Sequence, residues 1–337
     1  MKAVALSRYL PIDDPASLFD CELPDPVPGP RDLLVRVEAV SVNPVDTKVR
    51  APKAKVEAAP RVLGWDAAGV VEAVGAEVTR FRPGDAVYYA GDITRPGSNA
   101  QLQAVDERIV GRKPHTLSFA EAAALPLTTL TAWEALFERL GIAPEGGGAG
   151  RTLLLIGGAG GVGSIGIQLA KRAGLTVVTT ASRPETRAWV EALGADHVAD
   201  HRQPLAPQLA AFGHREVDFI ANFSDTDAYW ETMAEAVRPQ GRIVCVVENR
   251  KPLELGLLKA KSAAFFWEFM FTRAQFQTPD MARQGEILDA AAALFEAGAL
   301  RGTLKETLSP IDAANLRAAH KKLESGRTIG KIVLSGW

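Results

Sequence analysis

The chain has 337 residues, 47% of them hydrophobic and 23% charged, with a formal net charge of −2. This composition predicts a globular protein of one large or two ordinary domains, and the scattered, nearly balanced charge excludes nucleic acid as its main partner. No apolar run is long enough to cross a bilayer, the first residues do not form a signal peptide, and Cys21 and Cys245 are too few for a disulfide framework. We therefore expect a soluble, cytoplasmic protein.

Short strands and turns are predicted for residues 1–110. Strand-like runs at residues 33–40, 68–74 and 86–90 are separated by prolines and glycines, which favours an irregular antiparallel barrel. Ser118-Phe-Ala-Glu121 is a capping-box pattern that begins a helix, and a second helix is predicted over residues 130–140. The chain therefore changes from β-rich to helical before residue 150.

A glycine-rich turn at residues 157–163 follows the apolar run 153–156 and precedes a helical pattern. Gly158-x-Gly160-x-x-Gly163 has the spacing of a dinucleotide-binding turn. We expect the first glycine to permit the tight turn, the second to let the backbone approach a pyrophosphate, and the third to allow close packing of helix and strand. The amides at the start of the helix then face the phosphates, helped by the helix dipole. The predicted pyrophosphate contacts are Gly158, Ala159, Gly160, Gly161 and Val162.

Strands and helices then alternate as far as residue 247. Helices are predicted at 185–193, 205–212 and 228–237, and strands at 197–199, 217–221 and 242–247. Units of this length predict a doubly wound parallel sheet, whose ligands bind at the carboxyl ends of the strands. Asn222 and Val247 occupy such ends and are predicted to contact the cofactor.

The end of the second strand of this sheet predicts which dinucleotide binds. An NAD site has an acidic residue about 20 positions after the glycines, where it holds the ribose 2′-hydroxyl. Here the region contains Ser182 and Arg183, and Glu185 is the first acid. Serine and arginine can donate hydrogen bonds to a 2′-phosphate, which a carboxylate would repel. NADP(H) is therefore the predicted cofactor, although Ser182 can also cap the helix that begins near Pro184.

Six segments in register resemble the medium-chain dehydrogenase/reductase superfamily, specifically its zinc-free quinone oxidoreductase branch. These segments are residues 41–46 (Ser-Val-Asn-Pro-Val-Asp), 64–72, 81–87, 97–100, 125–133 and 330–334 (Gly-Lys-Ile-Val-Leu). The resemblance implies an α/β protein with a GroES-like β-barrel catalytic domain at residues 1–122 and 275–337. It also implies a Rossmann NADP-binding domain, a doubly wound parallel sheet, at residues 123–274. The active site is then expected in the cleft between the domains.

The resemblance also bears on the metal. Zinc members of this superfamily bind the catalytic ion through a cysteine, a histidine and a second cysteine. In this chain the first two ligand positions correspond to Asn43 and Trp65, and the third falls near Leu127. The four-cysteine structural zinc lobe is missing between Tyr88 and Gln103. No metal site is therefore predicted. His197 and His201 are spaced as i and i+4 but fall on an extended segment, so they are interpreted as loop histidines.

Candidate catalytic residues come from the same resemblance. Asn43 is expected beside the nicotinamide and the substrate oxygen. Asp46 can fix this segment by hydrogen bonds, or it can merely stabilise a turn. Lys48 can polarise a substrate carbonyl, or its side chain can extend into solvent. Lys48 departs from the family pattern, which has tyrosine there. The remaining predicted cofactor contacts are Thr129, from a set with Thr128 and Thr131, and Lys331.

Without a Lewis acid, hydride transfer from NADPH to a conjugated acceptor is more accessible than alcohol oxidation. The sequence therefore predicts an NADPH-dependent reductase of a quinone or an α,β-unsaturated carbonyl, acting as a homodimer. An enoyl-thioester reductase would need a basic channel, for which Lys251, Lys259 and Lys261 are the only candidates. An NADPH-binding sensor or structural protein is the other alternative. The aromatic residues 265–271 can form a lid, a dimer edge or a strand buried on both faces.

Overall fold

The structure, a computed structural model, describes every residue from Met1 to Trp337, and the chain divides into two compact units. The split unit comprises Met1–Leu130 and Phe271–Trp337, and the central unit comprises Thr131–Met270. The predicted domain ranges are 1–122 with 275–337 and 123–274, so the two predicted boundaries lie eight and four residues from those of the compact units.

The secondary-structure elements follow in chain order. Those of the first part are β1 Lys2–Tyr9, β2 Phe19–Glu22, β3 Asp32–Ser41, α1 Pro44–Arg50, β4 Lys53–Val62, β5 Asp66–Val74, β6 Ala86–Tyr89, β7 Leu102–Asp106, β8 Val110–Arg112, α2 Phe119–Ala123 and α3 Pro126–Trp133. Those of the middle are β9 Thr152–Ile156, α4 Gly161–Arg172, β10 Thr176–Thr180, α5 Pro184–Ala192, β11 His197–Ala199, α6 Leu205–Ala211, β12 Val217–Asn222, α7 Thr226–Ala236, β13 Val237–Cys245, α8 Gly256–Lys259 and β14 Ala264–Trp267. The chain ends with α9 Thr272–Gln275, α10 Arg283–Glu296, β15 Leu304–Leu308, α11 Ala313–Glu324 and β16 Lys331–Ser335.

The split unit is β-rich, as predicted. Strands β15, β16, β3, β5, β6 and β8 form one sheet in that order, to which β7 adds by pairing with β3, while β2, β1 and β4 form a second sheet. Strand β3 alternates between buried and less buried residues along much of its length, so its apolar face lies in the core. Strand β4 was not predicted, because it is mostly exposed and rich in lysine and alanine; it forms by pairing with β1.

The central unit contains the predicted doubly wound parallel sheet. Its strand order is β11-β10-β9-β12-β13-β14, and every pair is parallel. All five residues of β9 are buried, as expected for a strand covered on both faces. The chain reverses direction across the sheet between β9 and β12, and this is where ligands bind in folds of this kind.

Two predicted element boundaries are wrong. The helix predicted over residues 130–140 begins four residues earlier, at Pro126, is α-helical to Trp133 and continues as a π-helix over Glu134–Arg139. Strand β13 begins at Val237 instead of residue 242, although Pro239 and Gly241 lie within it. Gln240 adopts a positive φ of 62°, and the pairing of β13 with β12 shifts register in this region. The strand can therefore include Pro239 and Gly241, because it is locally irregular where they lie.

The aromatic segment after residue 264 is only partly a strand. Strand β14 ends at Trp267 and lies at the edge of the sheet, and none of its four residues is fully buried, so it is not a strand buried on both faces. Phe265 packs against Trp230 and Trp267, whereas Trp267 and Phe269 remain 43% and 44% exposed. No helix has the length and apolarity that crossing a membrane requires.

Candidate functional site

The candidate residues form one group in each unit, and the glycine turn is the centre of the group in the central unit. Gly157, not Gly158, has the positive φ, 90°, that the turn requires. A Cβ on Gly158 would lie 2.1 Å from Thr179 Oγ1, and a Cβ on Gly163 would lie 2.2 Å from the Gly157 carbonyl oxygen. The third glycine therefore allows close packing as predicted, but the first allows close approach to β10 and not the turn itself.

Gly160 differs from the other two glycines of the motif. It is the N-cap of α4 with an ordinary φ of −72°, and the nearest atom to an added Cβ is 3.6 Å away. Neither backbone conformation nor crowding in the protein therefore requires glycine here. The position borders the first turn of a twelve-residue helix, whose amides have no intrahelical acceptor. This uncrowded start of a helix fits a bound pyrophosphate, and Ala159, Gly161 and Val162 are its other residues.

Basic groups surround the end of β10. The Ser182 hydroxyl lies 3.3 Å from His201 Nε2, and the Arg202 guanidinium donates to the Ser182 carbonyl oxygen at 3.1 Å. Arg183 is the N-cap residue of α5, so Ser182 does not cap this helix. The nearby carboxylate of Glu185 is bound by Arg183 at 2.6 Å. The end of β10 therefore presents a hydroxyl and two guanidinium groups, of which that of Arg183 is paired with Glu185 and that of Arg202 with Asp200.

Asn222 and Val247 lie at the carboxyl edge of the same sheet. The Asn222 side chain is buried and closes the turn after β12, accepting from the Ser224 amide at 2.9 Å and donating to the Asp225 carbonyl at 3.3 Å. The Val247 carbonyl accepts from the Thr226 hydroxyl at 2.5 Å. Both residues therefore shape this edge of the sheet, while their side-chain and carbonyl groups are bound within the protein.

Two buried carboxyl groups near this edge were not predicted as a pair. Glu268 follows β14 and is 2% exposed, and Glu134 lies in the π-helix and is 1% exposed. Arg139 Nε lies 2.9 Å from Glu268 Oε2 and Arg139 Nη2 lies 3.9 Å from Glu134 Oε2, so one guanidinium brings the two carboxyl groups together. Burial raises the pKa of Glu268, and Arg139 opposes that shift. Sequence spacing gives no signal for this contact, since its partners are more than 130 residues apart.

In the split unit, the predicted active-site segment is the beginning of α1. The Asp46 carboxylate accepts the backbone N–H of Asn43 at 2.6 Å, as in a capping box. Asp46 is 1% exposed and its Oδ1 has no hydrogen-bond partner. Burial raises the pKa of Asp46 to about 7, although the Asn43 amide and Lys331 favour the charged form. Asp46 therefore stabilises the turn into α1, one of the two roles predicted for it.

Asn43 and Lys331 meet at a residue that the sequence did not single out for a role, Asp66. Asn43 Nδ2 donates to Asp66 Oδ2 at 2.8 Å, and Lys331 Nζ lies 3.1 Å from the same oxygen and also donates to Asn43 Oδ1. The other oxygen of Asp66 accepts the Leu127 amide at 2.7 Å. Burial raises the pKa of Asp66, and Lys331 opposes that shift. The only sequence signal for Asp66 was its place in the resembling segment 64–72.

Lys48 and Thr129 are not part of this cluster. Lys48 is exposed, and its ammonium makes no hydrogen bond or ion pair. Thr129 is fully buried in α3, two residues after Leu127, and its hydroxyl has no hydrogen-bond partner. The structure thus brings Asn43, Asp46 and Lys331 together and leaves Lys48 free to face solvent.

The cluster does not fit a zinc ion. Zinc binds thiolate, imidazole and carboxylate ligands, and no group of three such residues lies together anywhere in the chain. At the two ligand positions named above, Asn43 presents an amide and Trp65 an indole N–H, which is a donor. The buried Lys331 ammonium contacts Asn43 and would repel a dication.

Other predicted groups do not assemble into sites. His197 stacks on Phe212 with ring centroids 4.8 Å apart, whereas His201 contacts Ser182, so the two histidines do not form a pair. Lys261 Nζ donates to the carbonyl oxygens of Glu235 and Val237, both at 2.6 Å. This lysine is therefore held by the backbone and cannot line a basic channel with Lys251 and Lys259.

Comparison with known proteins identifies relatives along the whole chain. The family model for the alcohol dehydrogenase GroES-like domain matches residues 29–133, and that for zinc-binding dehydrogenases matches residues 193–334. A zinc-type alcohol dehydrogenase-like protein from Staphylococcus aureus is 44% identical over 99% of this chain and 100% of its own. A 2-methylene-furan-3-one reductase from Solanum lycopersicum is 33% identical over 90% of this chain and 71% of its own. A crystal structure from Rhizobium etli, assigned to the zinc-dependent alcohol dehydrogenases, is 50% identical, with a TM-score of 0.94 over 100% of this chain and 98% of that one.

Proposed function

Since the chain belongs to the medium-chain dehydrogenase/reductase superfamily, whose members are oxidoreductases, we propose that it is an NADPH-dependent, zinc-independent reductase of quinones or α,β-unsaturated carbonyl compounds. The observation that carries the proposal is the glycine turn at the carboxyl edge of the parallel sheet, where Gly160 leaves room for a pyrophosphate. The likeness to a reductase of a conjugated furanone supports the acceptor class.

The charges at the end of β10 favour NADPH over NADH. Ser182 and Arg183 can bind a 2′-phosphate by charge-assisted hydrogen bonds, and the carboxylate of Glu185 is paired with Arg183. When bound, the nicotinamide supplies the hydride, and the chain's own residues hold it in place. Phosphate binding by the α4 amides and by Ser182 fixes the adenine half of the cofactor.

The donor set of the split unit favours a conjugated acceptor over an alcohol. An alkoxide needs a strong electrophile beside its oxygen, but this site lacks the ligands that would hold a zinc ion, and its Asn43 amide and Lys331 ammonium are already bound to other groups of the protein. In a quinone or enone, conjugation spreads the incoming negative charge, so hydrogen-bond donors suffice to stabilise it.

Roles for the split-unit residues follow from their contacts. Asn43 has both side-chain polar atoms bound to Asp66 and Lys331, so it orients the segment that begins α1. Asp46 holds the same segment by accepting the Asn43 amide. Lys48, exposed one turn along α1, is the group available to donate a hydrogen bond or proton to a substrate oxygen.

We also propose that the protein is a homodimer. Strand β14 has an unpaired edge, and beside it Trp267 and Phe269 are both more than two-fifths exposed. An exposed edge strand with aromatic neighbours is a surface that natural proteins usually cover. The measurement is the molecular mass in solution, by light scattering, for wild type and for Trp267→Lys.

The first experiment measures oxidation of NADPH and of NADH with a panel of 1,4-quinones, linear enones and cyclic enones, with and without a chelator. We expect turnover that prefers NADPH and does not respond to the chelator. Loss of activity with the chelator, or activity with alcohols alone, would contradict the proposal. Tight NADPH binding without turnover of any acceptor would favour the alternative of an NADPH-binding sensor.

A further inference from the structure

Lys331 is a buried lysine whose bonding capacity is fully used. Its side chain is 4% exposed, and Nζ donates to the Val42 carbonyl at 2.9 Å, to Asp66 Oδ2 at 3.1 Å and to Asn43 Oδ1. An ammonium group has three N–H donors, so each is bound to one acceptor within the split unit. No donor remains for a cofactor, whose binding is the role predicted for Lys331 from the sequence.

Through Asp66, this ammonium joins four segments that are distant in sequence. Lys331 begins β16, Asp66 begins β5, Asn43 precedes α1, and the Leu127 amide lies in the first turn of α3. Each link is buried, because Asp66 is fully buried and Asn43 is 1% exposed. A charge pair in such a place is held to one geometry by its neighbours, and removing one partner leaves the other charged and without compensation.

The consequence concerns the groups proposed to act in the reaction. With Oδ1 facing Lys331 and Nδ2 facing Asp66, the Asn43 amide has one orientation. The Asp66 carboxylate also fixes the beginning of α3, which contains Thr129. A cation at this point thus sets the geometry of both α1 and α3, the task that a metal ion and its ligands perform in other sites.

We propose that Lys331 is a positioning residue, a built-in cation that orders the proposed reductase site through Asn43 and Asp66, and does not itself bind the cofactor. This inference rests on the proposed function for its catalytic consequence, but its structural part stands on the contacts alone. Lys331 acts through two other side chains and does not itself contact the reacting atoms.

The test compares Lys331→Met, Lys331→Arg and the double variant Asp66→Asn/Lys331→Met in the full-length protein. Lys331→Met leaves the Asp66 carboxylate buried without its cation, so we expect the Tm to fall by about 10 °C. The double variant removes both charges, and we expect it to recover most of that loss, which is the signature of a coupled pair. The matched control is the exposed pair Lys321–Asp13, where Lys321→Met is expected to change the Tm by less than about 2 °C.

Enzyme kinetics and nucleotide binding are then measured at a temperature below the Tm of the least stable variant. For Lys331→Met we expect kcat to fall about 10- to 100-fold, with an unchanged Kd for adenosine 2′,5′-bisphosphate and for NADPH, because geometry and not phosphate binding is lost. Lys331→Arg, which keeps the cation, is expected to restore part of kcat. A raised Kd for NADPH with an unchanged Tm would overturn the proposal. If the wild type turns over no acceptor, the proposed function fails, while the Tm comparison still decides the role of Lys331.

Discussion

The side-chain amide of Asn43 donates to the carboxylate of Asp66 at 2.8 Å, while its oxygen accepts from Lys331. Asn43 was expected beside the substrate oxygen as a donor or an orienting group, and these contacts favour the orienting role. A donor for the substrate must then come from another group, and we propose Lys48, since it is exposed and its ammonium makes no hydrogen bond or ion pair.

We therefore predict that Lys48→Met lowers kcat for a quinone or enone about 10- to 100-fold, the usual range for loss of one proton donor. The Tm should not change by more than about 2 °C, because the side chain makes no buried contact. Steady-state kinetics and a thermal melt measure both effects. Lys2→Met, another exposed lysine in the same unit, is the control, and equal kinetics for the two variants would remove Lys48 from the mechanism.

The stability of the protein should depend on pH through Asp46. The pKa of this buried carboxyl is about 7, against about 3.9 in an unfolded chain, so the folded state binds a proton that the unfolded state releases. Stability from this group is complete below pH 4 and is lost as pH rises to about 7. Asp46→Asn keeps an acceptor for the Asn43 amide without a charge. As pH rises from 4 to 7, the Tm of this variant should therefore increase relative to the Tm of wild type. Parallel Tm curves from pH 4 to pH 8 would show that Asp46 does not titrate there.

Two glycines of the turn should respond differently to an added methyl group. Gly163→Ala places a Cβ 2.2 Å from the Gly157 carbonyl oxygen, so we expect a lower Tm and loss of the turn. In Gly160→Ala the atom nearest to the added Cβ is 3.6 Å away, so the Tm should not change. The Kd for NADPH should rise at least tenfold, because the methyl group occupies space needed by the pyrophosphate. Calorimetry of binding and a thermal melt separate these effects. Full NADPH affinity in Gly160→Ala would place the pyrophosphate elsewhere.

The choice of nucleotide should depend on the end of β10. Arg183→Met is expected to raise the Kd for NADPH about tenfold and to leave that for NADH unchanged, since only NADPH offers a 2′-phosphate. Ser182→Asp should reverse the preference, because a carboxylate repels that phosphate and can hold the ribose hydroxyl. Arg172→Met, at the far end of α4, is the control for general charge effects. A uniform change for both nucleotides would contradict this assignment.

Patterns that depend on neighbouring residues were predictable from the sequence. The buried run of β9, the glycine turn and the capping box at Ser118, where the Glu121 carboxylate accepts the Ser118 amide at 2.8 Å, are local features, and the structure has all three. The alternation of strands and helices also predicted the doubly wound sheet, because each strand and each helix is indicated by the spacing of its own apolar residues. The π-helix and the early start of β13 were missed, because tertiary packing overrides local preference there.

The sequence by itself determined the two kinds of domain, the place of the dinucleotide turn and the lack of zinc-ligand residues at the positions where the family has them. Only the tertiary structure decided what Lys331, Asp66 and Asn43 do, because their contacts join residues 23 to 288 positions apart. A lysine in a strand pattern gives no sign of whether it faces solvent or a buried carboxylate. That difference depends on which segments pack around it, and packing is a property of the whole folded unit.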